Sequence, residues 1–211
     1  HRINFTRKRS DLHESQLNHE LLRPFGLKEI PKINDVIATT GFFNAPKVSL
    51  PQEYEALNSF TILHPKSQGS AKEWPFEKYL VLAKELIAKG ETVVFTGTEN
   101  EGKLFREQLP SHPELIDSTG TMSLTQLIAL ISKAKNIVAC STGPLHIAGF
   151  LGINTIGLFS PKRPIHPERW SALGRYVSIL MFDEKCEKCL KGKNCSCIED
   201  IAVGDILDKV I

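Results

Sequence analysis

The sequence predicts an α/β fold, a parallel sheet with helices on both faces. Three observations carry that prediction. From residue 60 onward, short β-branched apolar runs alternate with segments whose apolar residues recur at helical spacing. Each apolar run stops at small or turn-forming residues just before the next helical segment. The chain has 211 residues, 41% hydrophobic and 24% charged, which is globular composition with enough length for a sizeable core.

The elements follow in order. Residues 10–25, "SDLHESQLNHELLRPF", read as a helix capped by Asp11 with Glu14 three residues on, with Leu17, Leu21 and Leu22 on one face; Pro24 and Gly26 end it. Residues 28–58 are broken by Pro31, Gly41, Pro46 and Pro51 and read as a connector, with one short strand around Lys47–Leu50. "FTILH" (Phe60–His64) is a strand. "PFEKYLVLAKELIAKG" is a helix through Phe76, Leu80, Ala83 and Ile87, closing on Gly90. "TVVFTG" (Thr92–Gly97) is a strand, and "ENEGKLFREQL" a short helix. "MSLTQLIALISKA" opens with Ser123 and Gln126 at capping-box spacing and lines Leu124, Leu127, Ile128 and Ile131 on one face. "NIVAC" is a strand, "PLHIAGFLG" a helix, "NTIGLFS" a strand and "VGDILDKVI" a helix.

Charge is balanced, 26 basic against 24 acidic residues for a net +2, which argues against bulk nucleic-acid binding. Arg2, Arg7, Lys8 and Arg9 read as a solvated segment. No apolar run is long enough to cross a bilayer and no signal peptide is visible. The chain opens at His1 rather than Met, so a fragment or a processed chain is expected.

In a parallel sheet, ligands sit outside the carboxyl ends of the strands. Four such ends carry polar groups. "STGPLH" begins a helix at Gly143 or Pro144, which exposes backbone N–H groups and the positive end of the helix dipole; Ser141 and Thr142 add hydroxyls. That stretch is an anion site or a plain strand-to-helix turn capped by a hydroxyl, and alone it favours neither. "GSAKEW" adds Ser70 and Lys72, a hydroxyl and a point charge suited to a diphosphate. "GTENEG" adds Glu99 and Glu101, able to accept from ribose hydroxyls. "SPKRPIHPERW" follows the last strand. No G-x-G-x-x-G or Walker-type loop occurs, which excludes an ordinary nicotinamide site or P-loop. His64 and His146 read as hydrogen-bonded turn residues rather than metal ligands.

Of five cysteines, Cys140 reads as a core thiol. The other four, Cys186, Cys189, Cys195 and Cys197, crowd into "CEKCLKGKNCSC". They could hold zinc, form disulfides or stay reduced. The C-x-x-C half suits zinc, but the C-x-C half is tight and the halves lie close together, so spacing weighs against a structural zinc. Lys185, Lys188, Lys191 and Lys193 point to an exposed loop remote from any chemistry.

The order "ILHPKSQGSAKEWPFEKYLVLAKEL", "VVFTGTENEG", "GTMSLTQLIALISKAKNIVACSTGPLHIAGFLGINTIGLFSP" and "HPERWSALG" resembles the carboxyl half of glycosyltransferase family 9, the lipopolysaccharide heptosyltransferases and their relatives. The match runs from Phe60 to Gly174, with weaker similarity in the cysteine-rich tail and in "HESQLNHELLRPFGL". The resemblance implies a GT-B fold of two Rossmann-like domains facing a cleft. Residues 59–211 would be the nucleotide-sugar donor domain, and residues 1–58 the end of the amino-terminal domain with the connector. It implies inverting sugar transfer from an ADP-heptose-like donor to a lipid-linked core glycan, with no other cofactor. It implies a cytoplasmic enzyme touching the inner membrane through its other domain. Ser70 and Lys72 look like donor-phosphate contacts, and Thr142, Gly143 and Pro144 like the phosphate-binding helix start. Glu101 resembles the ribose contact, and Met122 falls where the adenine pocket is lined. His146 matches the histidine of the helix-start motif. Ser141 stands where the family often has an acidic residue near the donor sugar. The catalytic base belongs to the other domain, so none is assigned here. An epimerase-like enzyme of the same fold and a non-catalytic nucleotide-sugar-binding module are the alternatives.

Overall fold

The computed structural model describes residues 10–211. The basic stretch from Arg2 to Arg9 lies outside the described residues. A six-stranded, wholly parallel sheet forms the centre, in the order β3-β2-β1-β4-β5-β6. The strands are β1 (Phe60–His64), β2 (Thr92–Phe95), β3 (Leu115–Asp117), β4 (Asn136–Cys140), β5 (Asn154–Leu158) and β6 (Val177–Leu180). This is the doubly wound order of the Rossmann-type fold, with its reversal between β1 and β4. The two edge strands, β3 and β6, are absent from the sequence reading. Both are half-buried; β3 is only three residues long, whereas β6 carries the apolar residues Val177, Ile179 and Leu180 and is legible as a strand.

Side chains alternate across the sheet. Leu63, Val93, Phe95, Val138 and Ile156 pack on one face against helix α4 (Phe76–Ala88), through Tyr79, Leu82, Ala83 and Leu86, and against Ile198, Ile201 and Ile206. Phe60, Ile62, Val94 and Ile137 pack on the other face against α6 (Leu124–Lys133) and α7 (Gly143–Leu151). Layers on both faces explain why the central strands are buried at nearly every position and predominantly apolar.

Residues 10–58 contribute no strand. Among them α1 (Glu14–Glu20), α2 (Ile33–Ala38) and α3 (Gln52–Glu55) lie outside the sheet. The α1 cap is His13, not Asp11: His13 Nδ1 accepts from the Ser15 N–H and Gln16 Oε1 from the His13 N–H, while Asp11 pairs with Arg163. Of the expected α1 face only Leu17 is buried; Leu21 and Leu22 are exposed. No strand forms at 47–50. Pro46 and Pro51 flank it, and Leu50 instead drops into the core with its N–H on Glu55 Oε1. The predicted helix over "ENEGKLFREQL" splits into α5 (Glu99–Gly102) and a 3₁₀ turn at Arg106–Gln108. Gly102 is forced at the break, because a Cβ there would lie 2.1 Å from Thr119 Oγ1.

The remaining helices are short: α8 (Pro167–Trp170), α9 (Glu187–Leu190) and α10 (Val203–Leu207). The cysteine segment corrects the expectation of a wholly exposed loop. Its lysines are exposed, but Cys186, Cys189 and Cys197 are buried.

Candidate functional site

Two clefts open along the carboxyl ends of the strands. The larger, about 710 Å³, runs from the β1 loop over β2 and β3 to the start of α6. The smaller, about 430 Å³, lies between α7 and the segment after β5. They meet at Ser70, Thr142 and Gly143, which line both. The meeting point is the reversal between β1 and β4, where each neighbouring loop turns away to its own side.

The waist is the first turn of α7. Thr142 is its N-cap residue, in extended conformation, yet its hydroxyl makes no capping bond. Thr142 Oγ1 is buried and has no hydrogen-bond partner among the described residues. A buried orphan hydroxyl costs about 1–3 kcal/mol, so its retention calls for an explanation. Pro144 in the first turn has no N–H, which leaves Gly143 and Leu145 as the forward donors. A Cβ on Gly143 would meet no protein atom, so the glycine keeps the cleft itself clear.

The β1 loop is held rigid from within. Glu73 Oε1 accepts from the Ser67 N–H (2.8 Å) and Ser67 Oγ (3.0 Å), and Glu73 Oε2 accepts from Lys66 Nζ (3.0 Å). Burial opposes the charge on Glu73, but Lys66 and the Ser67 donors outweigh it and hold the carboxyl below its usual range. Gln68 (φ 50°) and Gly69 (φ 82°) make the left-handed tip that returns Ser70 to the waist. Ser67 and Glu73 carry no motif and were not singled out in the sequence. Lys72 is half-buried beside Ser141 and Ser160 in a narrow crevice behind the waist, and it has no hydrogen bond or ion pair among the described residues. Ser160 Oγ is a second buried orphan in the same crevice.

The larger cleft has an apolar wall of Met122, Leu124 and Leu127. Leu124 is 66% exposed, so α6 turns it into the cleft rather than the core, where Leu130 takes the expected place. The opposite wall carries the acidic pair. Glu101 closes a capping box with Thr98: its Oε2 accepts from the Thr98 N–H (2.7 Å) and Thr98 Oγ1 (2.9 Å). Glu99 is taken by Arg106, which donates to both its oxygens (3.1 and 2.9 Å) and holds its carboxyl below the usual range. Of the two, Glu101 alone is free of an ion pair in this geometry. His64 Nδ1 shares a 2.9 Å hydrogen bond with Thr96 Oγ1, so the ring is satisfied as expected, but it stands at the end of β1 rather than in a turn.

The smaller cleft brings together Ser141, His146, Arg169 and Trp170. Arg169 is anchored to Glu14 of α1 at 2.8 Å. Ser141 Oγ reaches the Trp170 carbonyl at 3.4 Å. His13 Nε2 donates to the Ser171 carbonyl at 2.9 Å, and its positive form would oppose that of His146. The structure thus places Ser70, Thr142 and Gly143 at the waist itself, with Ser141 and His146 on one side of it. Met122, Glu101 and Pro144 lie on the other side, and Lys72 behind it.

Burial holds the pKa values of His13, His64 and His146 below 6.5. A lowered folded-state pKa means the unfolded chain takes the proton first. The stability from keeping these rings neutral is therefore present above 6.5 and lost as pH falls through it. A calorimetric profile should show a melting temperature that declines progressively below that point; a flat or rising profile would contradict the assignment.

The sequence profile described as glycosyltransferase family 9 (heptosyltransferase) matches residues 16–198. The chain belongs to this family. Lipopolysaccharide heptosyltransferase 2 of Escherichia coli is 29% identical over 125 residues, covering 57% of this chain and 36% of that protein. The lipopolysaccharide core heptosyltransferase OpsX of Haemophilus influenzae is 28% identical over 130 residues, covering 60% and 37%. Across its curated relatives the chain spans 36% to 53% of their length. Among solved structures, the E. coli heptosyltransferase WaaC with ADP superposes with a TM-score of 0.64 at 15% identity, over 96% of this chain and 57% of that one. That likeness establishes the Rossmann-like α/β fold shared with such family members. Among the described residues no helix is long and apolar enough to cross a membrane.

Proposed function

We propose that this chain is the donor-binding half of an inverting, heptosyltransferase-like glycosyltransferase. Its donor would be an ADP-sugar, and its acceptor a lipid-linked core glycan. The observation that carries the reading is the orphaned Thr142 hydroxyl at the waist where two clefts join. A diphosphate is the ligand that would satisfy it, together with the Gly143 and Leu145 N–H groups. A nucleoside on one side and a sugar on the other would then fill the two clefts. The names of the relatives, and the ADP of the E. coli enzyme, support the same assignment.

In this scheme adenine lies against Met122 and Leu124, and Glu101 faces the ribose. The sugar occupies the Ser141–His146–Trp170 side. The acceptor oxygen bonds to the anomeric carbon as the bond to the diphosphate oxygen breaks, with inversion. The acceptor proton passes to a base on the facing domain. Negative charge grows on the leaving diphosphate, and preorganised α7 donors, Thr142 and Lys72 stabilise it there. Residues 1–58 would lead from that facing domain, which would carry the acceptor and any peripheral contact with the cytoplasmic side of the inner membrane.

Thr142→Val tests the carrying observation. It removes a hydroxyl that the free protein does not use, so the melting temperature should hold or rise. A hydrogen bond to a charged group is worth about 1.5–3 kcal/mol, so ADP affinity should drop about ten- to a hundredfold. A thermal scan reads the first effect and calorimetric titration the second; unchanged affinity in a folded variant removes the phosphate from this waist.

A further inference from the structure

Away from the clefts, four sulfurs converge. The Sγ atoms of Cys186, Cys189, Cys195 and Cys197 all lie within 4.8 Å of one another. Two of the pairs, Cys186 with Cys195 and Cys189 with Cys197, lie at 3.3 Å, and all four are free thiols. A tetrahedral Cys₄ zinc with Zn–S bonds of about 2.3 Å has sulfur–sulfur edges of about 3.8 Å, inside the observed spread. Two disulfides would bring each pair together but would not require the pairs to approach one another. Here every sulfur neighbours the other three.

The local backbone is shaped for this cluster. Cys186 is the N-cap of α9, and its carbonyl accepts from the Leu190 N–H at 3.0 Å. The Gly192 N–H donates to the Cys189 carbonyl at 2.9 Å, and Gly192 takes φ +71°, which turns the chain back toward the first pair. The Cys197 N–H donates to Cys195 Sγ at 3.4 Å, a contact that favours thiolate over thiol. Exposed Lys185, Lys188, Lys191 and Lys193 supply positive charge around a centre that would carry two net negative charges. The tight C-x-C spacing that weighs against a metal in one dimension is what the turn at Gly192 accommodates in three.

We propose that Cys186, Cys189, Cys195 and Cys197 bind one structural zinc ion. On binding, each thiol releases its proton to solvent and each sulfur donates a lone pair; no oxidation state changes. Four protein ligands leave no open coordination position, so the site is closed to chemistry. Its work is to fix the segment that follows. Ile198 and Ile201 are buried beside α4. The Ile201 carbonyl accepts from Trp74 Nε1 (3.1 Å) and Lys78 Nζ (3.0 Å), and Lys78 also reaches the Glu199 carbonyl. Ile198 lies in the same crevice as Lys72 and Ser141, so the metal braces the β1 loop from behind.

The experiment uses the chain purified under reducing conditions without chelator. Elemental analysis should find one zinc per chain. After chelation, titration with cobalt(II) alone should give the absorption of a tetrahedral thiolate complex, saturating at one equivalent and raising the melting temperature by several degrees. Cys140→Ser should keep full stoichiometry and Cys189→Ser should lose it. Should Cys189→Ser fail to fold, Cys195→Ser gives the same readout at the half-buried ligand. Two results would overturn the proposal: a chain that takes up neither metal while all five thiols remain titratable, or a chain isolated four hydrogens lighter as two disulfides.

Discussion

Lys72→Ala should weaken ADP binding about ten- to a hundredfold, while Lys89→Ala leaves it unchanged. The expectation rests on where the ammonium stands. Lys72 is half-buried next to Ser141 and the orphaned Ser160 hydroxyl, and no carboxylate claims it among the described residues. A lysine held without a counter-ion beside a helix N-terminus keeps like charge near like, a cost that an anion between them reverses. A charge-assisted bond of about 1.5–3 kcal/mol sets the size of the effect. The choice of control matters. Lys66 lines the larger cleft and pairs with Glu73, and Lys78 anchors the carbonyls of Glu199 and Ile201, so removing either would disturb the β1 loop or the C-terminal segment. Lys89 is exposed at the far end of α4. Equal affinities for the Lys72 and Lys89 variants, measured by calorimetry, would place the phosphates elsewhere.

Gly174→Ala should lower stability by about 2–3 kcal/mol, a fall in melting temperature of about 5–10 °C for a chain of this size. A Cβ on Gly174 would lie 2.2 Å from the Gly149 carbonyl oxygen, and one on Gly149 would lie 2.7 Å from the Leu173 carbonyl oxygen. Both collisions are with backbone, which cannot rotate aside as a side chain can. Helix propensity alone says that Gly149→Ala would stabilise α7 by about 1 kcal/mol. The contact with Leu173 opposes that gain, so this substitution should be milder than the one at Gly174. The contact matters to the site because α7 carries the waist at one end and is seated by the 172–174 segment at the other. Thermal melts of the two alanine variants decide the point; a Gly174→Ala chain as stable as the parent would mean the backbones separate at no cost.

Much of this architecture was legible in the sequence, for physical reasons that can be named. Central strands of a two-faced parallel sheet are rich in apolar and β-branched residues, so Phe60–His64, Thr92–Phe95, Asn136–Cys140 and Asn154–Leu158 stand out. Capping is local chemistry, so Ser123 with Gln126 announces α6. The helix start after "NIVAC" is local too, and with it the first-turn N–H groups that the proposed diphosphate would use. The edge strand β3 is three residues long and half-buried, which hid it; β6 carries an apolar run in Val177, Ile179 and Leu180 that sequence periodicity can find. At α1 two polar residues competed for one cap, and the long-range partners settled it: Arg163 took Asp11, and the Ser171 carbonyl took the other side of His13.

What the sequence determined by itself is therefore the set of short-range decisions: strand, helix, cap, and the residue types at each strand end. The tertiary structure decided which of these meet. Among the described residues it left the Thr142 and Ser160 hydroxyls without partners, tied Glu99 to Arg106, and turned Leu124 out into the cleft. It also gathered four cysteines whose spacing argued against a common ligand. Each of those outcomes depends on groups brought together from separate loops or around a full turn of chain, where burial and partner geometry outweigh any preference that a linear neighbourhood can express.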